Sequence, residues 1–519
     1  MTVKGKHRHI YLLAFITVAF ILLPVMNGDY LYTIQDNDVF ISGHTFMMNT
    51  VRYEGGWFAW VARYLTQFFY YPWLGSTILI LFWVAIYWMT ILMFGIKDKW
   101  SFLALIIPAI LLYHLLDYGY WIYYAKTPGL PFLHTILVLA CLLYTWGILY
   151  LTRNLKINWQ MKGLICVGLL VAIIYVCNFL WSSSPWHYNY GFRHSIKTTL
   201  TDSNFKHELR MYRALDEFRY DDVLKEMPTD NETPPTNLMV LYKNIALMHT
   251  GRLTDLFKTN NCGINPFAAD STLSSRIHIS QLGAPLIYYQ FGQINFAYRW
   301  AMENSVTYGL SFRNLKIMAL CSIFNQEFDV AAKYLLLLKT SLFHRDWSIE
   351  HERWMYNSTN FIQSRDFQAI APLIDDDPNV LDDDKGRCEQ YILDHYSTLR
   401  HASSPQLEEV ILCLSLWRED AYSFCIHFYD YVQHHPQESI PTLYQEGAIL
   451  HGNTDESPID FKGFKFDTFV ADRYNRFVQN YNQLSQQGLS NEEMARRLRP
   501  TYGDTYWWYY YFYTDFTIY

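Results

Sequence analysis

Charge and paired thiols are what this chain is short of. Asp, Glu, Lys and Arg make up 17% of its 519 residues, below the share usual in soluble globular proteins. The scarcity is uneven. Before Ser182 there are 6 acidic and 11 basic residues, net +5, whereas the remainder carries 42 and 30, net −12. A sparsely charged, basic first third and an acidic remainder point to a membrane module joined to a water-facing one. The acidic balance also argues against nucleic acid as a partner, because phosphate binding needs a basic footprint.

No C-x-x-C pair occurs among the eight cysteines, which excludes a zinc knuckle and a thioredoxin-type redox motif. Cys141, Cys166 and Cys177 lie in apolar segments and the others are scattered, so they read as small buried thiols. G-x-S-x-G, P-loop, H-E-x-x-H and Rossmann glycine patterns are missing too. The acidic stretch "DDDPNVLDDDKG" (375–386) fails as an EF-hand loop, since Val380 and Gly386 stand where Gly and Glu are required. It reads as a solvated loop between helices. No metal site and no cofactor are expected.

Long apolar runs and aromatics are what the chain has. Five segments approach spanning length: 10–26, 74–96, 100–116, 132–151 and 163–181. The first follows the basic start "KGKHRH" and reads as an uncleaved anchor, because "PVMNG" is a poor cleavage site. The third contains Pro108; were it re-entrant, the parity of the whole set would flip. Lys4, Lys6, Arg8, Lys97, Lys99, Arg153, Lys156 and Lys162 fall on one side, against Arg52, Arg63 and Lys126 on the other. That bias predicts a cytoplasmic N-terminus and a far-side location for everything after Trp181. Between the first two spans, residues 27–73 are expected to form an interfacial loop, within which 52–75, with aromatics interleaved with Arg63, Thr66 and Gln67, reads as an interfacial helix.

From about Phe205 the pattern becomes helical. Residues 284–305 and 315–341 echo one another at an offset of 34, with Ala297 matching Ala331 and Trp300 matching Tyr334. Small residues that let helices approach, on a helix-turn-helix cadence, fit a tetratricopeptide-like repeat. Residues 240–258 and 407–433 read as divergent pairs of the same kind, and Ser490 with Glu493 as a capping box. The aromatic tail 503–519 is too short to span and is expected to pack as a closing element.

The expected architecture is therefore all-α. A transmembrane bundle of about five spans occupies 1–181, a linker 182–204, and a soluble tetratricopeptide-like α-solenoid 205–519.

The strings "LTQFFYYPWLG" (65–75), "YYQFGQINFAYRWAME" (288–303), "FDVAAKYLLLLKTSLFHRDW" (328–347) and "GDTYWWYYYFY" (503–513) occur in this order. With them the chain resembles a family of bacterial membrane proteins of unknown function, with a hydrophobic N-terminal region and a helical C-terminal one. The resemblance implies no catalytic or ligand residues.

Chemistry can be sought in few places. Asp36 and Asp38, in "YTIQDNDVF" (32–40), stand in the first external loop. In this respect the chain resembles integral-membrane glycosyltransferases that use polyprenyl-phosphate donors. The resemblance implies a carboxylate acting as a base or helping to hold a divalent metal. His114 and Asp117, with Lys126 and His134 nearby, fall at the same end of the third span and are further candidates. The bland alternative is a D-x-D that turns a wetted loop. His434-His435 reads as surface, and His344, Arg345 and Asp346 as the polar end of an amphipathic helix.

The favoured expectation is a non-enzymatic, multi-pass protein of the bacterial inner membrane. Its partners would be the lipid bilayer and a protein bound through a periplasmic helical-repeat domain. The alternative is a membrane transferase acting on a lipid-linked substrate.

Overall fold

The computed structural model describes residues 6–52, 56–123, 129–151, 160–161, 163–164, 167–168, 171, 196–227, 235–258, 283–375, 388–436, 439–452 and 464–512. Every regular element among them is helical, and none is a strand. The chain divides into two compact units. One comprises Met1–Leu209 and Ala301–Tyr356, the other Arg210–Trp300 and Asn357–Tyr519. The contacts thus assign part of the 205–519 stretch to the N-terminal unit.

Four helices in the first unit are long and apolar enough to cross a bilayer: Lys6–Val25, Pro72–Phe94, Asp98–Leu116 and Leu130–Tyr150. Most of the fifth expected span, 163–181, lies outside the described residues. Helix α1 (Lys6–Phe20) continues into a π turn, Ile21–Val25, that contains Pro24. A proline lacks the N–H that an α-helix would use and crowds the carbonyl one turn earlier, so the local widening accommodates it. The amide of Asn27 then donates to the Leu22 carbonyl at 2.6 Å.

Helix α2 covers Gly28–Asn37, α3 His44–Val51 and α4 Gly56–Thr66, followed by a 3-10 turn, Gln67–Tyr70. Helix α4 thus lies where an interfacial helix was expected, whereas α2 and α3 form where only a loop was expected. Pro72, at the first turn of α5 (Pro72–Phe94), has no orphan N–H to satisfy; Gly95, left-handed at φ 57°, ends the helix. Pro108 sits in the first turn of α6 (Ile106–Leu116), just after a 3-10 stretch, Asp98–Leu105. A proline is tolerated in a first turn, so the helical run Asp98–Leu116 continues through it.

Packing in this unit uses local chemistry already visible in the chain. Leu12, Tyr87, Ile91 and Ala104 form one core cluster. Asp98 accepts the N–H groups of His7 and Arg8 at 3.4 and 3.3 Å, placing a carboxylate at the start of α1 where the helix dipole favours it. Helix α7 (Leu130–Leu151) packs on α5, and Trp83 Nε1 donates to Thr135 Oγ1 at 3.1 Å. Helix α4 also packs on α7, burying its small residues Gly56, Ala59, Ala62 and Thr66.

Within Ala301–Tyr356, helices Phe312–Phe324 and Phe328–Lys339 pack as a hairpin, and Arg345–Tyr356 packs on the second of them. Ser311 caps the first, its Oγ accepting the Asn314 N–H. The hairpin turn is a Schellman motif. Gln326, at φ 60°, donates to Ile323 O, and Glu327 donates to Ser322 O.

The second unit uses the same turn repeatedly. Phe218, Gly251, Gly292 and Glu419 all have positive φ, and each shows the same paired backbone hydrogen bonds. Gly292 and Gln326 stand at the 34-residue offset found in the sequence. Gly292 also lies against Leu373, where a Cβ would come within 2.7 Å of backbone. The tail helix Tyr506–Phe512 packs inside this unit. Trp507 and Phe512 are fully buried with Phe477 and Met494, Tyr509 OH donates to Trp417 O at 2.8 Å, and Trp508 Nε1 donates to Ala495 O at 3.2 Å. Half of the expected capping box forms. Ser490 Oγ accepts the Glu493 N–H, while the Glu493 carboxylate pairs with Arg497 at 3.1 Å.

Candidate functional site

Asp36 and Asp38, expected on a wetted loop, are 5% and 6% exposed at the C-terminal end of α2. Two carboxylates out of water require compensation, and each receives a guanidinium. Arg313, on helix Phe312–Phe324, donates from Nε to Asp36 Oδ2 at 2.8 Å and from Nη2 to Asn37 Oδ1 at 2.8 Å. Arg63, on α4, places Nε 3.1 Å from Asp38 Oδ1. The other oxygen, Oδ2, accepts the Gly129 N–H at 2.6 Å.

Side-chain amides extend the cluster. Gln67 donates from Nε2 to the Asp38 carbonyl at 2.7 Å, and Gln35 donates to Gln67 Oε1 at 3.3 Å. The Gln35 amide also lies 3.4 Å from His344 Nε2. His344 is stacked on Phe312, with Tyr70 edge-on to it. Burial holds the His344 pKa well below the ordinary histidine range, and Lys316 pushes in the same direction. The imidazole is therefore neutral and accepts from the Gln35 amide. Burial also disfavours the Arg63 cation, which the Asp38 carboxylate partly offsets. Asn37 Nδ2 closes the cluster by donating to Ile122 O at 2.9 Å.

Gly129 is the backbone hinge of this arrangement. Its φ is +62°, and a Cβ there would sit 2.3 Å from Ala62 Cβ and 2.8 Å from the Arg63 nitrogen. Only glycine lets the start of α7 approach α4 closely enough to hand its N–H to Asp38.

The remaining candidates go elsewhere. His114 and His134 meet each other, with ring centroids 4.6 Å apart, and His114 also meets Tyr118. Asp117 accepts the Ile196 N–H at 2.9 Å, taking up a donor at the start of helix Ile196–Thr201. Lys126 lies outside the described residues, as does the acidic stretch after Asp375. Arg345 and Asp346 are exposed in the first turn of their helix. In the second unit, His435 Nε2 lies 2.9 Å from Glu408 and His434 lies 3.6 Å from it. Among the described residues no group of three or more His, Cys, Asp or Glu side chains could hold a metal.

A carboxylate serves as a general base when it can reach a substrate proton and is poised near neutral pH. Asp36 and Asp38 are instead engaged by cations and a backbone N–H, charge-assisted contacts that fix their position. Their chemistry is that of a polar joint tying α2 to α4, to α7 and to helix Phe312–Phe324. Arg63 was visible in the sequence only as a basic residue among aromatics, and Arg313, in "SFRNLK", carried no signal.

Helices of spanning length beside helix hairpins joined by Schellman turns define an all-α protein with candidate membrane spans. The chain belongs to a family of unknown function, DUF6057, whose sequence pattern matches residues 4–176 and 120–513. No curated protein and no solved structure matches it.

Proposed function

We propose that this is a non-enzymatic, multi-pass protein of the bacterial cytoplasmic membrane that presents a tetratricopeptide-like helical region on the extracytoplasmic side to bind a protein partner in envelope assembly. The observation that carries this reading is the recurrence of one Schellman turn, at Phe218, Gly251, Gly292, Gln326 and Glu419, which joins packed helix hairpins at Gln326 and Glu419. Stacked units of this kind commonly offer protein-binding surfaces. The engagement of Asp36 and Asp38 by Arg313 and Arg63 supports the non-enzymatic side of it. Sidedness rests on the Lys and Arg distribution.

On helix Ala421–His434, Tyr422 and Tyr429 stand seven positions apart and are 64% and 42% exposed. Aromatic side chains on one face suit a partner surface. The test is in-cell crosslinking of the full chain followed by purification. A specific partner is expected with the wild type and to fall at least about tenfold with Tyr422→Glu/Tyr429→Glu. Recovery of no specific partner from the wild type would refute the reading. A C-terminal reporter active only in the cytoplasm would overturn the sidedness.

A further inference from the structure

The start of span α5 is surrounded by aromatic side chains, and one of them comes from far along the chain. Phe343, in the turn before helix Arg345–Tyr356, stacks on Tyr70 with centroids 5.2 Å apart and a 7° interplanar angle. It also meets Tyr71 edge-on at 5.6 Å and Phe68 at 5.9 Å. Tyr71 is the N-cap of α5, so the turn carrying Phe343 lies where that helix would leave the bilayer.

The large apolar residues at this end are left open. Trp73 is 59% exposed, Tyr71 45% and Leu342 44%. Tyr and Trp with mixed apolar and polar character favour the headgroup layer, whereas open clusters of this kind facing bulk water are unfavourable. Arg345, exposed beside the turn, suits lipid phosphate.

We propose that the turn Ser341–His344 inserts Leu342 and Phe343 into the phospholipid headgroup layer beside the first turn of α5. The helices of Ala301–Tyr356 then rest on the membrane surface. The occupant of the patch is lipid, because the patch is continuous with the start of a candidate span. The inference rests on reading α5 as a membrane span, and its test separates the two.

The full chain is reconstituted in phospholipid vesicles with a nitrobenzoxadiazole label on Leu342→Cys, Trp73→Cys or Leu81→Cys, the last being 61% exposed in the middle of α5. The wild type, labelled in parallel, sets the background from native thiols, of which Cys141, Cys321, Cys388, Cys413 and Cys425 are buried. Nitroxides near the lipid headgroup are expected to quench positions 342 and 73 to a similar extent, severalfold more than aqueous iodide does. Deep nitroxides are expected to quench position 81. Iodide quenching at 342, with lipid quenching retained at 73 and 81, would overturn the proposal. Iodide quenching at all three positions would overturn the membrane span itself and the proposal with it.

Discussion

Arg313 reaches across 277 positions of sequence to donate from Nε to Asp36 at 2.8 Å, and both side chains are about 8% exposed. A buried pair of this kind returns part of its desolvation cost through its own attraction, and losing one member strands the other. Arg313→Met and Asp36→Leu should each destabilise the first unit by about 3–5 kcal/mol. The double variant Asp36→Leu/Arg313→Met should recover much of that loss. Denaturant unfolding in detergent, arranged as a double-mutant cycle, measures the coupling. Additive losses would show that the pair does not act as one.

Gly129 and Gly488 both have positive φ, at +62° and +71°, but only Gly129 has neighbours within reach of a Cβ. Gly488→Ala should cost about 1 kcal/mol, the backbone term alone. Gly129→Ala should cost clearly more, because α7 must retreat from Ala62 and the N–H given to Asp38 is lost. Comparing the unfolding midpoints of the two variants tests this ordering.

Burial pushes the Glu446 carboxyl up to about 8, although its Oε2 accepts the Tyr506 N–H at 2.8 Å. The folded protein then binds this proton more tightly than the unfolded chain. The resulting stabilisation is complete below the unfolded value near 4.5 and is lost as pH rises through about 8. His249 and His451, each held down to about 4 by burial, act at the acid end, where stability falls as pH drops from 6.5 towards 4. Unfolding measured from pH 5 to 9 should show the alkaline decline, and Glu446→Gln should flatten it. An unchanged slope in that variant would assign the decline to other groups.

Gln326 holds the left-handed position of its Schellman turn at φ 60° and is exposed. A side chain there costs about 1 kcal/mol relative to glycine. Gln326→Gly should therefore stabilise by a few tenths to about 1 kcal/mol, after the entropy gained by the unfolded chain is deducted. A rise in the thermal midpoint of the purified protein is the expected readout.

Much of the helical framework was legible because its causes are local. The apolar runs marked the candidate spans, and four of them are helices of spanning length. Pro72 and Gly95 bound α5 as their backbone preferences dictate. The 34-residue echo coincides with two Schellman turns, which need only a few consecutive residues to form.

The site was not legible for the opposite reason. In sequence, Asp36 and Asp38 look like any pair of carboxylates in a polar loop. Their burial follows from α2 meeting Arg63, Gly129 and helix Phe312–Phe324. Nothing in the local pattern around Arg313 or Phe343 says that the one will neutralise Asp36 or that the other will stack on Tyr70. The sequence by itself determined which apolar segments form helices long enough to enter a bilayer, because hydropathy, proline and glycine act over a few residues. Only the tertiary structure decided that the D-x-D is a buried, paired joint, because desolvation and pairing depend on residues hundreds of positions away.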